Sequence, residues 1–300
     1  MRKKILITGS NGLLGQKLAR LLVHNAEVEI VASSRGKNKL SQLMPELHFV
    51  SLDVTNEQQV DQVIQSEKPT HVIHTAAMTN VDECELNPEA CWQLNVSAVQ
   101  HLVNACGKNN CHFIHLSTDF IFDGAAGPYR ETDKPNPVSY YGKSKLAAEE
   151  LVQRSSGNWA ILRTVLVYGV AHDYGRTNIV LWVKNSLEGK KTIQVVSDQF
   201  RTPTLVEDLA VGCWLAVAHN AQGIYHISGK EGLTPYEMAL QVADYFQLDK
   251  TYIKKVDAST FTQPAKRPPR TGFDISKAEK DLGFTPHTFQ EGIAVIAAQI

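Results

Sequence analysis

Apolar and polar positions along the chain follow two alternating rhythms. A β-branched run at residues 4–8 is succeeded by leucines at helical spacing, Leu18, Leu21 and Leu22. Further apolar runs predict strands at 28–32, 49–54, 71–77 and 113–116, with helical patterns at 56–65 and 95–105 between them. Strands alternating with helices predict an α/β fold with a doubly wound parallel sheet, because parallel strands need crossover connections that cover both faces. Past residue 116 the proline-rich stretch 127–137 must be a loop. Helix is then expected at 143–153, strand at 159–167, a loop over a cleft at 170–176 and helix at 180–187. Strand follows at 192–196, helix at 206–217, strand at 223–228 and helix at 234–246. This later half alternates less regularly. It predicts a dinucleotide-binding domain over 1–165, regaining elements from about 192–218, and a smaller α/β substrate-binding domain over 166–300.

Composition narrows the partners. With 300 residues, 20% of them charged, and a net charge of −1, the chain has no basic footprint for nucleic acid, and a small molecule is the expected ligand. Five scattered cysteines (Cys84, Cys91, Cys106, Cys111, Cys213) contain no C-x-x-C pair and read as reduced packing residues of a cytoplasmic protein. His71, His74, His112 and His115 alternate along strands without metal-ligand spacing, so no metal site is expected. No run of about 18 apolar residues suggests a membrane span.

The chemistry collects where strands end. Gly9-Ser10-Asn11-Gly12-Leu13-Leu14-Gly15 lies between the first strand and the first helix, where glycines let the backbone approach a pyrophosphate and helix amides meet its charge. After the second strand, Ser34 and Arg35, with Lys37 nearby, stand where an acidic residue would select NAD; a guanidinium there favours the 2′-phosphate of NADP(H), with NAD(H) as the lesser choice. Asp53 and Val54 end the third strand and Thr75, Ala76 and Ala77 the fourth. All of these fall on the carboxyl edge, where such sheets bind ligands. Thr118 and Asp119 follow the fifth strand. Tyr141 and Lys145, four apart, share one helix face, and the ammonium is expected to lower the phenol's pKa. Tyr140 has Ser144 at that spacing and so lacks the partner. Together Thr118, Tyr141 and Lys145 make a site for moving a proton at a carbonyl or alcohol oxygen while a hydride moves on carbon.

The ordered segments T-G-S-N-G-L-L-G, L-D-V-T, T-A-A-M-T-N-V-D-E-C-E, S-T-D-F-I-F-D-G, Y-G-K-S-K, R-T-V-L-V-Y-G and D-Q-F-R-T-P-T resemble the extended short-chain dehydrogenase/reductases, and among them most of all the dTDP-4-dehydrorhamnose reductase branch. The resemblance implies cofactor contacts from the glycine turn, Asp53, Val54 and residues 75–77. It also implies Thr118 as the carbonyl-polarising hydroxyl, Tyr141 as proton donor, and Lys145 as its electrostatic partner and ribose ligand. The implied reaction is reduction of a 4-keto deoxysugar nucleotide, and relatives of this kind often form homodimers. Phe120 and Leu166 stand where that branch usually has tyrosine and tryptophan. Arg201 replaces a small residue, and both it and Arg267 offer guanidiniums for a substrate diphosphate. The same triad can run a 4-epimerisation, and a non-catalytic subunit resembling the regulatory partner of methionine adenosyltransferase would keep the same glycine turn.

Overall fold

The computed structural model describes residues 2–172 and 177–300; the part of the expected cleft loop at 173–176 lies outside them. Among the described residues eleven strands and eleven α-helices follow one another. The strands are β1 (Lys3–Thr8), β2 (Val28–Ser34), β3 (Phe49–Ser51), β4 (His71–His74), β5 (His112–Thr118), β6 (Trp159–Thr164), β7 (Val167–Tyr168), β8 (Ile193–Val196), β9 (Thr204–Leu205), β10 (Gly223–His226) and β11 (Ile253–Val256). The helices are α1 (Leu13–Leu22), α2 (Glu57–Glu67), α3 (Val81–Leu86), α4 (Pro88–Trp92), α5 (Ala98–Lys108), α6 (Tyr140–Arg154), α7 (Ile179–Glu188), α8 (Val206–Ala218), α9 (Pro235–Tyr245), α10 (Ser276–Leu282) and α11 (Phe289–Ala297).

A seven-stranded sheet in the order β10-β6-β5-β4-β1-β2-β3 forms the centre, and each neighbouring pair is parallel. Its strands are apolar on both sides, as a doubly covered sheet requires. Ile5, Ile7, Ile73, Ile114 and Leu162 meet Leu18 and Leu22 of α1 and Leu209, Cys213 and Ala216 of α8. On the other face Leu6, Val72, Phe113 and Ile161 pack on α2, α5 and α6. Below α6 this second face also holds a buried ion pair, Arg163 Nη2 to Glu149 Oε2 at 2.7 Å. The second lobe has its own core, with α7, α9 and α11 packed around the parallel pair β8–β11.

The structure departs from expectation where pairing runs out. The long strand foreseen at 159–167 is cut in two: β6 leaves β5 after Thr118↔Thr164, the chain turns through Leu166 at φ 36°, and β7 pairs with β9 instead. The first lobe takes back α8 and β10. Residues 193–196, which were expected to return to it, belong to the second lobe through their pairing with β11. The helix foreseen at 95–105 begins with a π turn at Gln93–Ser97. All five cysteines are buried free thiols. No helix among the described residues is long and apolar enough to cross a membrane.

Candidate active site

A cavity of about 1010 Å³ runs along the carboxyl edge of the sheet, from the ends of β2 and β3 past the glycine turn to the end of β5. Gly9 has φ +74°, and a Cβ on it would lie 2.7 Å from the amide nitrogen of Ala76, so only glycine lets β1 and β4 end side by side. At Gly15 a Cβ would sit 2.4 Å from the carbonyl oxygen of Gly9, which holds α1 tightly on the turn. Helix α1 begins at Gly12 without a side-chain cap and without an acidic residue in its first turn. Its leading amides therefore keep their positive partial charge toward the cavity, a cradle suited to a pyrophosphate.

Most expected cofactor residues line this cavity: Gly9, Gly12, Leu13, Leu14, Ser34, Arg35, Asp53, Val54, Thr75, Ala76 and Ala77. The Asp53 carboxyl is held below its usual range, chiefly by the hydroxyl of Thr55 and further by the Arg35 charge. Two expected residues are placed elsewhere. Ser10 turns its hydroxyl into the interior, where it has no partner. Asn11 uses its side chain to accept from the amide of Lys39 and donate to the carbonyl of Lys37, bracing the turn against the segment after β2.

The reactive end is built from β5 and the first turns of α6. Ser139 caps α6 by accepting from the amide of Gly142 at 3.2 Å. Asn95, buried in the π turn, donates to Ser144 Oγ at 3.1 Å and accepts from the amide of Met78 at 2.8 Å, so it fastens α6 to the end of β4. Tyr141 and Lys145 both face inward and line the cavity together with Thr118. The Thr118 hydroxyl, whose influence lowers the Tyr141 pKa, donates to Asp119 Oδ1 at 3.1 Å. Asp119 in turn accepts from Thr271. Phe120 stands edge-on to the Tyr141 ring at 5.9 Å. Tyr140 lies outside this group, against Trp92.

Electrostatics here run opposite to the expected lowering of the phenol. Burial pushes the Tyr141 pKa up, outweighing the Thr118 hydrogen bond, which lowers it, so the phenol holds its proton at neutral pH. Lys145, equally buried, is pushed down to about 8 against the raising influence of Glu149. Its Nζ donates to the carbonyl of Leu116 at 2.7 Å and to His115 Nε2 at 3.3 Å. Burial likewise raises the Asp119 carboxyl, with Arg201 opposing.

The two arginines separate. Arg267 lines the cavity and is held bidentately by Asp82 of α3, at 2.6 and 3.1 Å. Arg201 does not reach the cavity wall; its guanidinium is buried and donates to the carbonyls of Phe200, Pro268 and Pro269. It ties the segment at 268–269 to the second lobe, and its donors are spent on backbone rather than on a diphosphate. The cavity also includes Gln93 and Leu94, which sequence reasoning missed; a π turn at a functional edge is the signal, and it is visible only in three dimensions. Among the described residues no three His, Cys, Asp or Glu side chains cluster closely enough to hold a metal.

Comparison with known proteins agrees with this architecture. The profile of the RmlD substrate binding domain matches residues 2–300. The chain is 33% identical to the dTDP-4-dehydrorhamnose reductase of Aggregatibacter actinomycetemcomitans, over 98% of each chain. It is 32% identical to methionine adenosyltransferase 2 subunit beta of Xenopus laevis, over 97% of this chain and 86% of that one. Among solved structures it resembles dTDP-4-dehydrorhamnose reductase from Bacillus anthracis in complex with NADP, with TM-score 0.87, 28% identity and full coverage of both chains. A match along essentially its whole length, together with a relative one third identical, makes this chain a member of the RmlD substrate binding domain family, within the extended short-chain dehydrogenase/reductases.

Proposed function

We propose that the protein is an NADPH-dependent reductase of a 4-keto deoxysugar nucleotide. The observation that supports this reading is that Thr118, Tyr141 and Lys145 line the same cavity as the glycine turn. The turn and the amides of α1 fit a pyrophosphate, and Arg35 fits a 2′-phosphate. The reductase of Bacillus anthracis, alike over its full length, is a complex with NADP. NADPH, when bound, supplies the hydride for the carbonyl carbon. Thr118 and Tyr141 polarise the carbonyl oxygen by hydrogen bonding, and as negative charge develops there the Tyr141 hydroxyl passes its proton to it, leaving an alcohol and a phenolate. Lys145 stabilises that phenolate and holds the ribose. A phenol kept protonated by burial is in the acid form that this direction needs. Arg267 is positioned to contact a substrate diphosphate once it exchanges Asp82 for it.

The test is a panel of nucleotide sugars followed by NADPH absorbance. Tyr141→Phe should lower kcat by ~10²–10⁴-fold, the usual contribution of a general acid, while NADPH affinity changes little. Full turnover by that variant would remove Tyr141 from the role. The curated relatives also include the subunit beta of methionine adenosyltransferase 2. If no nucleotide sugar is turned over and the protein forms a stoichiometric complex with a methionine adenosyltransferase catalytic subunit, the non-catalytic reading replaces this one. Interconversion of 4-epimers without net NADPH consumption would instead identify an epimerase.

A further inference from the structure

We propose that His115 is a positioning residue for Lys145, its Nε2 and the Leu116 carbonyl together directing the lysine's remaining N–H into the cavity. The inference rests on Lys145 serving the proposed reaction. An ammonium has three donors and no acceptor. Two of them are taken by consecutive residues of β5, at 2.7 Å to Leu116 O and 3.3 Å to His115 Nε2, and Lys145 itself lines the cavity. The third is left for a hydroxyl of cofactor or for Tyr141.

This arrangement dictates the state of the histidine. To accept from a cation at Nε2, the ring must be neutral and carry its proton on Nδ1, an atom that is buried and has no hydrogen-bond partner among the described residues. The other tautomer would leave Nδ1 just as unpartnered and would turn an Nε2–H toward the ammonium, so the lysine selects the Nδ1–H form. Burial and the nearest cation both favour the neutral ring. His115 has no exposure, and burial, then Lys145, then His74 hold its pKa well below the usual value. His74 of β4 stacks on it at 5.8 Å and is itself held neutral by burial. From α6 come Tyr141 and Glu149, the latter engaged by Arg163 of β6, and Cys84 and Cys91 approach from α3 and α4. His115 is thus an uncharged acceptor in the one place where a second cation would expel the first.

Two measurements test this. In the resting protein labelled with ¹⁵N-histidine, a long-range ¹H–¹⁵N spectrum should show His115 protonated on Nδ1 and bare on Nε2, without titrating down to the lowest pH at which the fold survives. This readout needs no substrate, so it decides the inference even if the proposed reaction fails. An Nε2-protonated ring, or titration near 6.5, would overturn it. In the working enzyme, His115→Leu removes the acceptor and disfavours the charged lysine. The alkaline limb of kcat, set by loss of the ammonium near pH 8, should then move down by about one unit, the size of a hydrogen bond to a charged group. His115→Gln, whose amide oxygen accepts and whose lighter packing change guards against misfolding, should return the limb toward its original position. A limb unmoved in both variants would make His115 a packing residue only.

Discussion

Gly142, which directly follows the proposed acid in the first turn of α6, offers the sharpest test of the site's geometry. A Cβ added there would lie 2.1 Å from the carbonyl oxygen of Phe120 and 2.9 Å from Cβ of Pro137. Ordinary contact begins at 3.4 Å, so the helix and the turn after β5 must separate by about 1.3 Å (3.4 minus 2.1). The obstacle is backbone, which cannot rotate away as a side chain can. Tyr141 rides on the helix and Thr118 on the strand leading into the turn, so the separation falls on the spacing between them. Overpacking of this kind costs ~1–3 kcal/mol, partly offset by the ~1 kcal/mol that alanine gains over glycine in a helix. A misplacement of about 1 Å at the reacting groups costs ~10²-fold in rate. Gly142→Ala should therefore lose roughly 2 kcal/mol or less of stability in urea, keep its affinity for NADPH, and lose about a hundredfold in kcat. Equal losses in kcat and NADPH affinity, or full activity, would refute the claim that this contact sets the Tyr141–Thr118 spacing.

Three further outcomes are expected. Arg35→Ala should weaken NADPH binding by about ten- to a hundredfold, the loss of a charge-assisted hydrogen bond, and leave NADH nearly untouched; titration of cofactor fluorescence would show an equal effect on both if Arg35 plays no part. Arg163→Met strands the Glu149 carboxylate in the interior and should cost ~3–5 kcal/mol in denaturant unfolding, with most of it recovered in the double variant carrying Glu149→Leu as well. Folding depresses the Lys145 pKa from 10.5 to about 8, so between these values the unfolded chain binds the proton that the folded one has released. Its burial penalty is full below pH 8 and relieved above it, and stability gains a rising component with pH. Tyr141, raised above 10.0, acts in the opposite sense above pH 10, so the window to measure is pH 8–10. Lys145→Met should flatten the rise there, and parallel curves for the two proteins would contradict the assignment.

What the sequence disclosed follows from what is local in it. Strands buried on both faces appear as unbroken apolar runs, and a glycine-rich turn between a strand and a helix is a local pattern, so the sheet, its order of elements and the turn at 9–15 were legible. Tyr141 and Lys145 were legible because four residues is a helical repeat. Features set by distant partners were not. Nothing in residues 159–167 shows that Leu166 takes a left-handed backbone, because the cause is that β9 captures the chain after Thr164. Arg201 read as a phosphate ligand because its partners, the carbonyls at 268 and 269, lie 67 and 68 residues away. The direction of the Tyr141 shift depended on how deeply the phenol is buried, and the spacing to Lys145 carries no information about that.

The return of α8 and β10 to the first lobe has a consequence for how the chain reaches its final shape. Lys3 Nζ reaches the carbonyl of Val217 at 2.6 Å, and Phe284 joins the same core as Ile5. During synthesis the nucleotide half therefore emerges with β6 as a bare edge and with the part of one apolar face that α1 leaves free uncovered until residues 206–226 arrive, and the last contacts wait for residue 284. Unpaired edges and uncovered faces are where nascent chains associate wrongly. The interleaving of early and late residues in the finished protein thus leaves the first half with an open edge and exposed apolar surface until the second half has been made.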